Sequence, residues 1–448
     1  MANTYLTRTF GTPTNRKIWT WSAWVKRQNL VSNYANAMFG AYYDANNRSV
    51  IRFDTHELNF QDSANSVEIK TNRLFRDISA WYHIVARVDT TQGTASDRIR
   101  LYVNGEQQTS FKQADYPAQN DNMQFNGADP HYINGRNSSG SVDSIADMSY
   151  SHVHFIDGTA YDASAFGSVD SDTGEWSINT SPSVTYGNNG FFILKDGNTI
   201  TDSSPNSNNF SLGGGTLTKT EDCPSNVFCT VNSLQAWYPT STTPVLSNGN
   251  NTIRTGKGSS SSAGYFYYPS TLGMPSSGKW YFEVKPTETT GNCLIGIVGK
   301  QPTSNAKLQE QADGYMYSKN GNKRNNNVQS SYGDTYDTND IIGVAVDLDN
   351  NKIYFSKNGT YQNSGVPTSG STGTGAAYTI GTSTTGDYFA VVGDTDYAEQ
   401  STFQFNFGNG YFGTTAVASA GTNASGNGIF EYDVPTGFTA LSTKGLNL

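Results

Sequence analysis

An all-β protein made of two antiparallel β-sandwiches in tandem is the fold this sequence predicts, and three observations predict it. Apolar and polar residues alternate in short runs along most of the chain, the period-two pattern of half-buried strands. The runs are punctuated by Asn, Asp, Ser and Gly (45 glycines in 448 residues), and no stretch of useful length has helical periodicity. One hairpin pattern occurs twice. Residues 83–105 read HIVARVDTTQGTASDRIRLYVNG and residues 341–359 read IIGVAVDLDNNKIYFSKNG. Each is an alternating run, an aspartate, a polar turn, a second alternating run and an Asn-Gly.

In chain order, IWTWSAWV (18–25) places Trp19, Trp21, Ala23 and Val25 on one strand face and Thr20, Ser22 and Trp24 on the other. Strands follow at 50–53, at 81–88 and at 99–103, where Asn104-Gly105 marks a tight turn into Glu106-Gln107. Further strands at 131–133 and 148–156 complete a first sandwich over residues 1–165. Residues 166–240 are rich in Asp, Ser and Gly, and FFILKD (191–196) is their one clear strand. We expect an extension packed on the first sandwich, because Trp176, Phe191, Phe192 and Ile193 need burial; a free linker is the alternative. Residues 241–448 form the second sandwich. KWYFEVKP (279–286) puts Trp280, Phe282 and Val284 on one face. CLIGIVG (293–299) is apolar throughout, as a strand buried on both faces would be. YFAVVGD and TFQFNFG follow the repeated hairpin.

The totals narrow the function. Charged residues are 15% of the chain and the net charge is −9, which argues against nucleic acid as a partner. No apolar run approaches the roughly 20 residues that span a bilayer, so no membrane partner is expected. The opening MANTYLTRTFGTPTNRK has no apolar core of a signal peptide. Cys223, Cys229 and Cys293 are too few for a disulfide framework; free thiols are expected, although Cys223 and Cys229 are close enough in sequence to pair.

Catalysis is not expected. A jelly-roll glycosidase needs two carboxylates about 5–9 Å apart, yet Glu57, Glu68, Glu106, Glu175, Glu283 and Glu288 are isolated from one another. Asp170, Asp172 and Glu175 are close in VDSDTGEW, a distant echo of a calcium loop, but they lie in a Ser/Gly-rich turn where Asp caps backbone. His152 and His154 share a strand face, and two histidines do not fill a zinc shell. GMPSSGKW (273–280) resembles a phosphate loop, but Trp280 stands where its hydroxyl residue belongs and a strand follows. No catalytic residue, metal or cofactor is assigned.

Two stretches resemble known families. WTWSAWVKR and WYHIVARVDTTQGTASDRIRLYVNGEQ resemble the laminin-G-like, concanavalin-type jelly roll, over about residues 15–160. GKWYFEVKP, CLIGIVG, DIIGVAVDLDNNKIYFSKNG and FQFNFGNGYF, in that order, resemble a SPRY domain over about residues 260–415. With VHFIDGTAYDASAFGSVDSDTGEW, FCTVNSL and a terminal PTGFTALSTKGL, the whole resembles a class of tailed-bacteriophage virion proteins. That resemblance implies a structural protein of the particle, made in the host cytoplasm: a tail fibre or adhesin that binds a host surface glycan or receptor. Its partners would be other virion proteins, and the class is often homotrimeric, although no heptad segment is present. A capsid or tail decoration protein is the alternative, with a polysaccharide depolymerase behind it. SPRY domains bind through loops at one sandwich end, which points to 313–337, DGYMYSKNGNKRNNNVQSSYGDTYD. Tyr315, Tyr317, Tyr332 and Tyr336 would offer flat faces and hydroxyls, and Lys323 and Arg324 would meet an anionic glycan. Trp24, Tyr34, Tyr42 and Tyr43 are the corresponding candidates in the first module.

Overall fold

A computed structural model of the chain describes residues 4–30, 36–195, 197–233, 242–261, 267–300 and 307–447, in two units, Met1–Lys219 and Thr220–Leu448. The period-two runs fold as strands, nearly all antiparallel, and the α-helix among the described residues is the single turn Ala95–Arg98.

The first unit faces two sheets against each other. One runs in the order Phe111–Asp115, Val67–Leu74, Glu57–Asp62, Arg48–Asp54, Ala37–Tyr42, Pro130–Ile133, Tyr5–Thr9, Ser211–Gly214. The other runs Phe191–Ile193, Met148–Asp157, Ile18–Arg27, Trp81–Asp89, Ile99–Val103, Glu106–Gln107. Trp19, Trp21, Ala23 and Val25 fill the space between them, as their alternation predicts; Trp19 stacks on Phe60 and Trp21 on Phe39 of the opposite sheet. The other face of the same strand is buried too. Residues 159–186 return across it: the Thr20 hydroxyl donates to the carbonyl of Thr159, and Val85, Tyr102, Ile156 and Phe166 form a second apolar layer with Trp176 and Tyr186 against it.

The expected extension is divided. Residues 166–219 belong to the first unit and 220–233 to the second. Phe191–Ile193 pairs with Met148–Asp157 and is fully buried, while Ser211–Gly214, expected as loop, pairs with Tyr5–Thr9. That strand has no apolar alternation to announce it; its side chains are exposed and it is held by backbone pairing alone. Asp157 clasps the unit. Its buried carboxylate accepts from the backbone N–H groups of Thr14, Asn15 and Asn189 and from the side-chain amide of Asn126, joining four segments remote in sequence.

The second unit repeats the plan. One sheet has the path Val245–Ser247, Thr252–Arg254, Ser401–Asn406, Lys279–Thr289, Ile342–Asp347, Lys352–Lys357, Thr360–Tyr361, with Thr439–Ala440 added in parallel to Lys279–Thr289. The other runs Tyr267–Pro269, Phe389–Asp394, Cys293–Val298, Gly314–Ser318, Asn322–Asn325, Val328–Ser331. Cys293–Val298 is buried on both faces: Ile295 and Ile297 enter the main core, and Leu294 and Val298 enter a smaller layer with Leu308 and Met316. Residues 417–447 complete the core with Phe430, Phe438 and Leu441, and the unit's first and last segments meet where the Cys229 N–H donates to the carbonyl of Leu441. All three cysteines are free thiols.

Candidate functional site

Residues 313–337 are less of a loop than their composition implies. Gly314–Ser318 and Asn322–Asn325 are strands of the sheet, and Val328–Ser331 is its edge. This changes what the predicted tyrosines do. Tyr315, Tyr317, Tyr332 and Tyr336 are all buried, none more than 8% exposed. The Tyr315 hydroxyl accepts from the N–H of Gly381; those of Tyr317, Tyr332 and Tyr336 donate to the carbonyls of Asp334, Gly375 and Cys293. Tyr317 also packs edge-on to Tyr332 and stacks on Phe355. Burial raises Tyr332 to about 12 and holds Tyr336 well above the ordinary phenol range, so these hydroxyls remain protonated. The tyrosines are the hydrogen-bonded scaffold under the sandwich end, and their faces are covered where the sequence reading had expected them open.

Lys323 and Arg324 differ from each other. The Lys323 ammonium is committed: it donates to the carbonyl of Ala377 at 2.6 Å and sits 4.9 Å from the Tyr378 ring centre. Arg324 lines a recess of about 220 Å³ with Gln309, Asn327, Val328 and Gln329. A second recess of about 300 Å³ is lined by Asn292, Lys319, Asn320, Thr335, Tyr336, Asp337, Asp340 and Lys357. Here two cations and two anions are paired with each other, Lys319 with Asp337 at 3.3 Å and Lys357 with Asp340 at 3.2 Å. Hydrogen bonds from Thr289, the Thr338 N–H and Lys319 hold the exposed Asp337 carboxyl down at about 2. The predicted segment thus lines both recesses, one through the named Arg324 and the other through the named Tyr336, each beside polar residues that the sequence did not single out. The charges at 319, 337, 340 and 357 were the available signal; their convergence depends on a strand pairing that sequence spacing does not give.

The first-module candidates separate likewise. Trp24 is buried and stacks on His83, Tyr42 is half-buried, and Tyr43 is 66% exposed. Tyr34 lies outside the described residues.

Most of the acidic residues weighed for catalysis have other partners. Glu57, Glu68, Glu106 and Glu288 pair with Lys112, Lys70, Arg73 and Arg254. Asp170 accepts from the N–H groups of Asp172 and Thr173, the capping role expected of it. A register shift between Ser151 and His154 breaks the alternation that was to place His152 and His154 on one face. Among the described residues, no three His, Cys, Asp or Glu side chains could hold a metal ion. Residues 273–280 lead into Lys279–Thr289, and the Lys279 ammonium pairs with buried Asp347 at 3.1 Å.

Among the described residues Ser–His contacts include that of adjacent Ser151 and His152 at 2.8 Å and one between residues remote in sequence, Ser22 with His83 at 2.9 Å. Trp176 Nε1 lies 2.9 Å from His83 Nδ1, and an indole N–H can only donate, so Nδ1 is the acceptor. Complete burial lowers His83 to about 3, so the ring is neutral and carries its proton on Nε2. That proton points at the Ser22 oxygen. The pair is therefore set against removing a proton from the serine.

Residues 279–410 match the family model described as SPRY domain, and residues 2–151 match the one described as Concanavalin A-like lectin/glucanases superfamily. The chain carries a SPRY domain preceded by a concanavalin A-like module. The Drosophila melanogaster ATP-dependent RNA helicase Ddx1 is 36% identical over 96 residues, 21% of this chain and 12% of the helicase. The SPRY domain of human HERC1 is 17% identical, covering 36% of this chain and 91% of that one, with a TM-score of 0.28. A candidate carbohydrate binding protein from Bacteroides ovatus is 15% identical, covering 49% of this chain and 59% of that one, with a TM-score of 0.33. In the SPRY domain both recesses are lined in part by one segment, 313–337, which contains three strands of one sheet.

Proposed function

We propose that this protein recognises a ligand without transforming it, and that it does so on the surface of a tailed-phage particle, as a fibre or adhesin contacting a host glycan or receptor. The observation that carries recognition is the pairing of two polar recesses on the SPRY domain with a set of carboxylates that are ion-paired, capping or buried. Amide and hydroxyl linings of this kind exchange hydrogen bonds with hydroxylated or peptidic ligands at little desolvation cost. What supports the virion setting is the sequence: the order of the two modules, the intervening segment and the closing PTGFTALSTKGL.

Two measurements test it. Gold-labelled antibody to the chain should decorate purified particles, and a glycan array probed with the full chain should return host-surface sugars. Labelling without any glycan or receptor binding would favour the decoration protein. Loss of capsule viscosity on incubation would establish a depolymerase and overturn the non-enzymatic reading.

A further inference from the structure

The recess under Arg324 is lined by two side chains with uncompensated polar atoms. Several other arginines use most of their donors within the chain: Arg27 donates to the carbonyls of Phe75 and Thr55, although its Nε is orphaned too, Arg98 donates to those of Gln92, Pro117 and Gly93, and Arg254 to Glu288. Among the described residues Arg324 has no acidic partner, and its Nε is shut off from water with no acceptor. Its neighbour Gln309 is 8% exposed, and the Oε1 atom is equally buried and equally without a donor. An orphaned buried donor and an orphaned buried acceptor each cost on the order of 1–3 kcal/mol. Both belong to the lining of one cavity of about 220 Å³.

We propose that this recess binds the carboxylate of an acidic sugar, with Arg324 gripping the carboxylate and Gln309 accepting a ring hydroxyl. The inference rests on the recognition reading above and names its ligand class. A planar guanidinium matches a carboxylate through two parallel hydrogen bonds, and a uronic acid carries hydroxyl donors beside that carboxylate. One ligand thereby meets both side chains that line the recess. The rest of the lining is the amides of Asn327 and Gln329, with Val328 exposed at the rim. An acidic peptide would find a single apolar contact there, whereas a hydroxylated ring can use every amide. Burial also lowers Arg324 from the ordinary guanidinium value, a cost that a bound anion would reverse. The net charge of −9 means that anions are not gathered by the general field of the chain, so binding must come from this local grip.

The test uses the full chain titrated with glucuronic acid and, separately, with glucose, which replaces the carboxylate by a hydroxymethyl group. Glucuronic acid should bind at least tenfold more tightly than glucose. Arg324→Gln should weaken glucuronic acid at least tenfold and leave glucose unchanged, whereas Gln309→Leu should weaken both sugars, since both carry ring hydroxyls. Arg324→Gln should leave the melting temperature within a degree or two, since no ion pair is lost, which separates a binding defect from a folding one. Equal binding of the two sugars, or glucuronic acid binding untouched by Arg324→Gln, overturns the inference. So does Arg324-dependent binding of a poly-glutamate peptide more tightly than the sugar, which would make the partner an acidic protein segment. Neutral glycans that bind the Arg324→Gln chain sink this inference and spare the recognition reading. Arg324-dependent uronate binding by a chain absent from the particle does the reverse.

Discussion

The two units solve one folding problem with the same turn and different anchors. In the first, Ile99–Val103 ends at Asn104-Gly105; in the second, Lys352–Lys357 ends at Asn358-Gly359. Both asparagines have φ +48°, and the glycines have +81° and +82°. Each asparagine side chain accepts an N–H at 2.8 Å from the opposite strand's side, His83 in one unit and Ile341 in the other. Each glycine lies under an aromatic ring from a returning segment, so that an added Cβ would lie 2.4 Å from Trp176 or 2.6 Å from Tyr432. The anchors beneath those rings differ. Trp176 is fixed by donating to neutral His83, whereas the N–H groups of Tyr432 and Glu431 donate to the buried carboxyl of Glu283, which also accepts from Tyr281 and Asn406. A backbone turn depends on two residues and recurs. What holds the returning segment is a matter of local chemistry and varies.

The largest test of this difference is to remove the anchors. Glu283→Ala takes an acceptor from four donors, of which only the Asn406 amide keeps another, the carbonyl of Ile429, and should cost the SPRY unit about 4 kcal/mol, with residues 417–447 released first. His83→Ala leaves two orphaned groups and a cavity under Trp176, and should cost the first unit about 3 kcal/mol. Hydrogen exchange read peptide by peptide in the full chain assigns each loss to its unit. Equal protection loss in both units from either substitution would show that the anchors are not local.

The anchors also set opposite pH responses. Burial raises Glu283 from 4.5 to about 7 despite its four donors, so the folded state holds that proton more tightly than the unfolded chain does. Its contribution to stability is fullest below about 4.5 and is lost as pH rises through 7. His83 is lowered from 6.5 to about 3, so the folded state excludes the proton; its contribution is full above 6.5 and is lost as pH falls toward 3. Going from pH 7 to pH 5, the Glu283 term should gain the SPRY unit about 2 kcal/mol and the His83 term should cost the first unit about 2 kcal/mol. Glu283→Gln and His83→Gln should each flatten the slope of its own unit, which separates these groups from the many surface carboxylates. Parallel slopes in the two units, unchanged by the substitutions, would contradict the contrast.

Much of this was legible in the sequence, and the gaps share a cause. Alternation located Ile18–Arg27, Trp81–Asp89, Ile342–Asp347 and Ser401–Asn406, and it named their core faces. It reports only one layer of packing. Thr20, Ser22 and Trp24 read as an outer face, and so does Glu283 opposite Trp280 and Phe282; all are buried because a returning segment covers them. Those segments, 159–186 and 417–447, hold a few aromatics in Ser-, Asn- and Gly-rich chain and carry no period. The exposure expected of the candidate tyrosines was misjudged for the same reason. Tyr315 and Tyr317 lie on a strand buried along its whole length, so their spacing could not say which face was solvent. The polar residues that do line the recesses, Gln309 and Lys319 among them, look like any other surface residues in sequence.

The smallest predicted effect bears most directly on the shared turn. Asn104→Ala and Asn358→Ala each remove one side-chain acceptor and place alanine at a positive φ that asparagine tolerates better. Each should cost about 1 kcal/mol, because the dihedrals and hydrogen-bond lengths coincide, and the Asn358 loss should exceed the other by only about 0.5 kcal/mol, for the exposed bond that its amide also donates to Asp340 at 2.7 Å. Near-equality is the informative part. If the turns are autonomous, what differs around them, neutral His83 in one unit and the Glu283 carboxyl in the other, should not alter the loss. Urea titrations of the full chain, followed by hydrogen exchange over 81–107 for the first unit and over 342–361 for the second, measure the pair. A difference above about 1 kcal/mol would mean that the covering ring and its anchor impose the turn conformation, and the two hairpins would then be alike in shape while differing in what determines it.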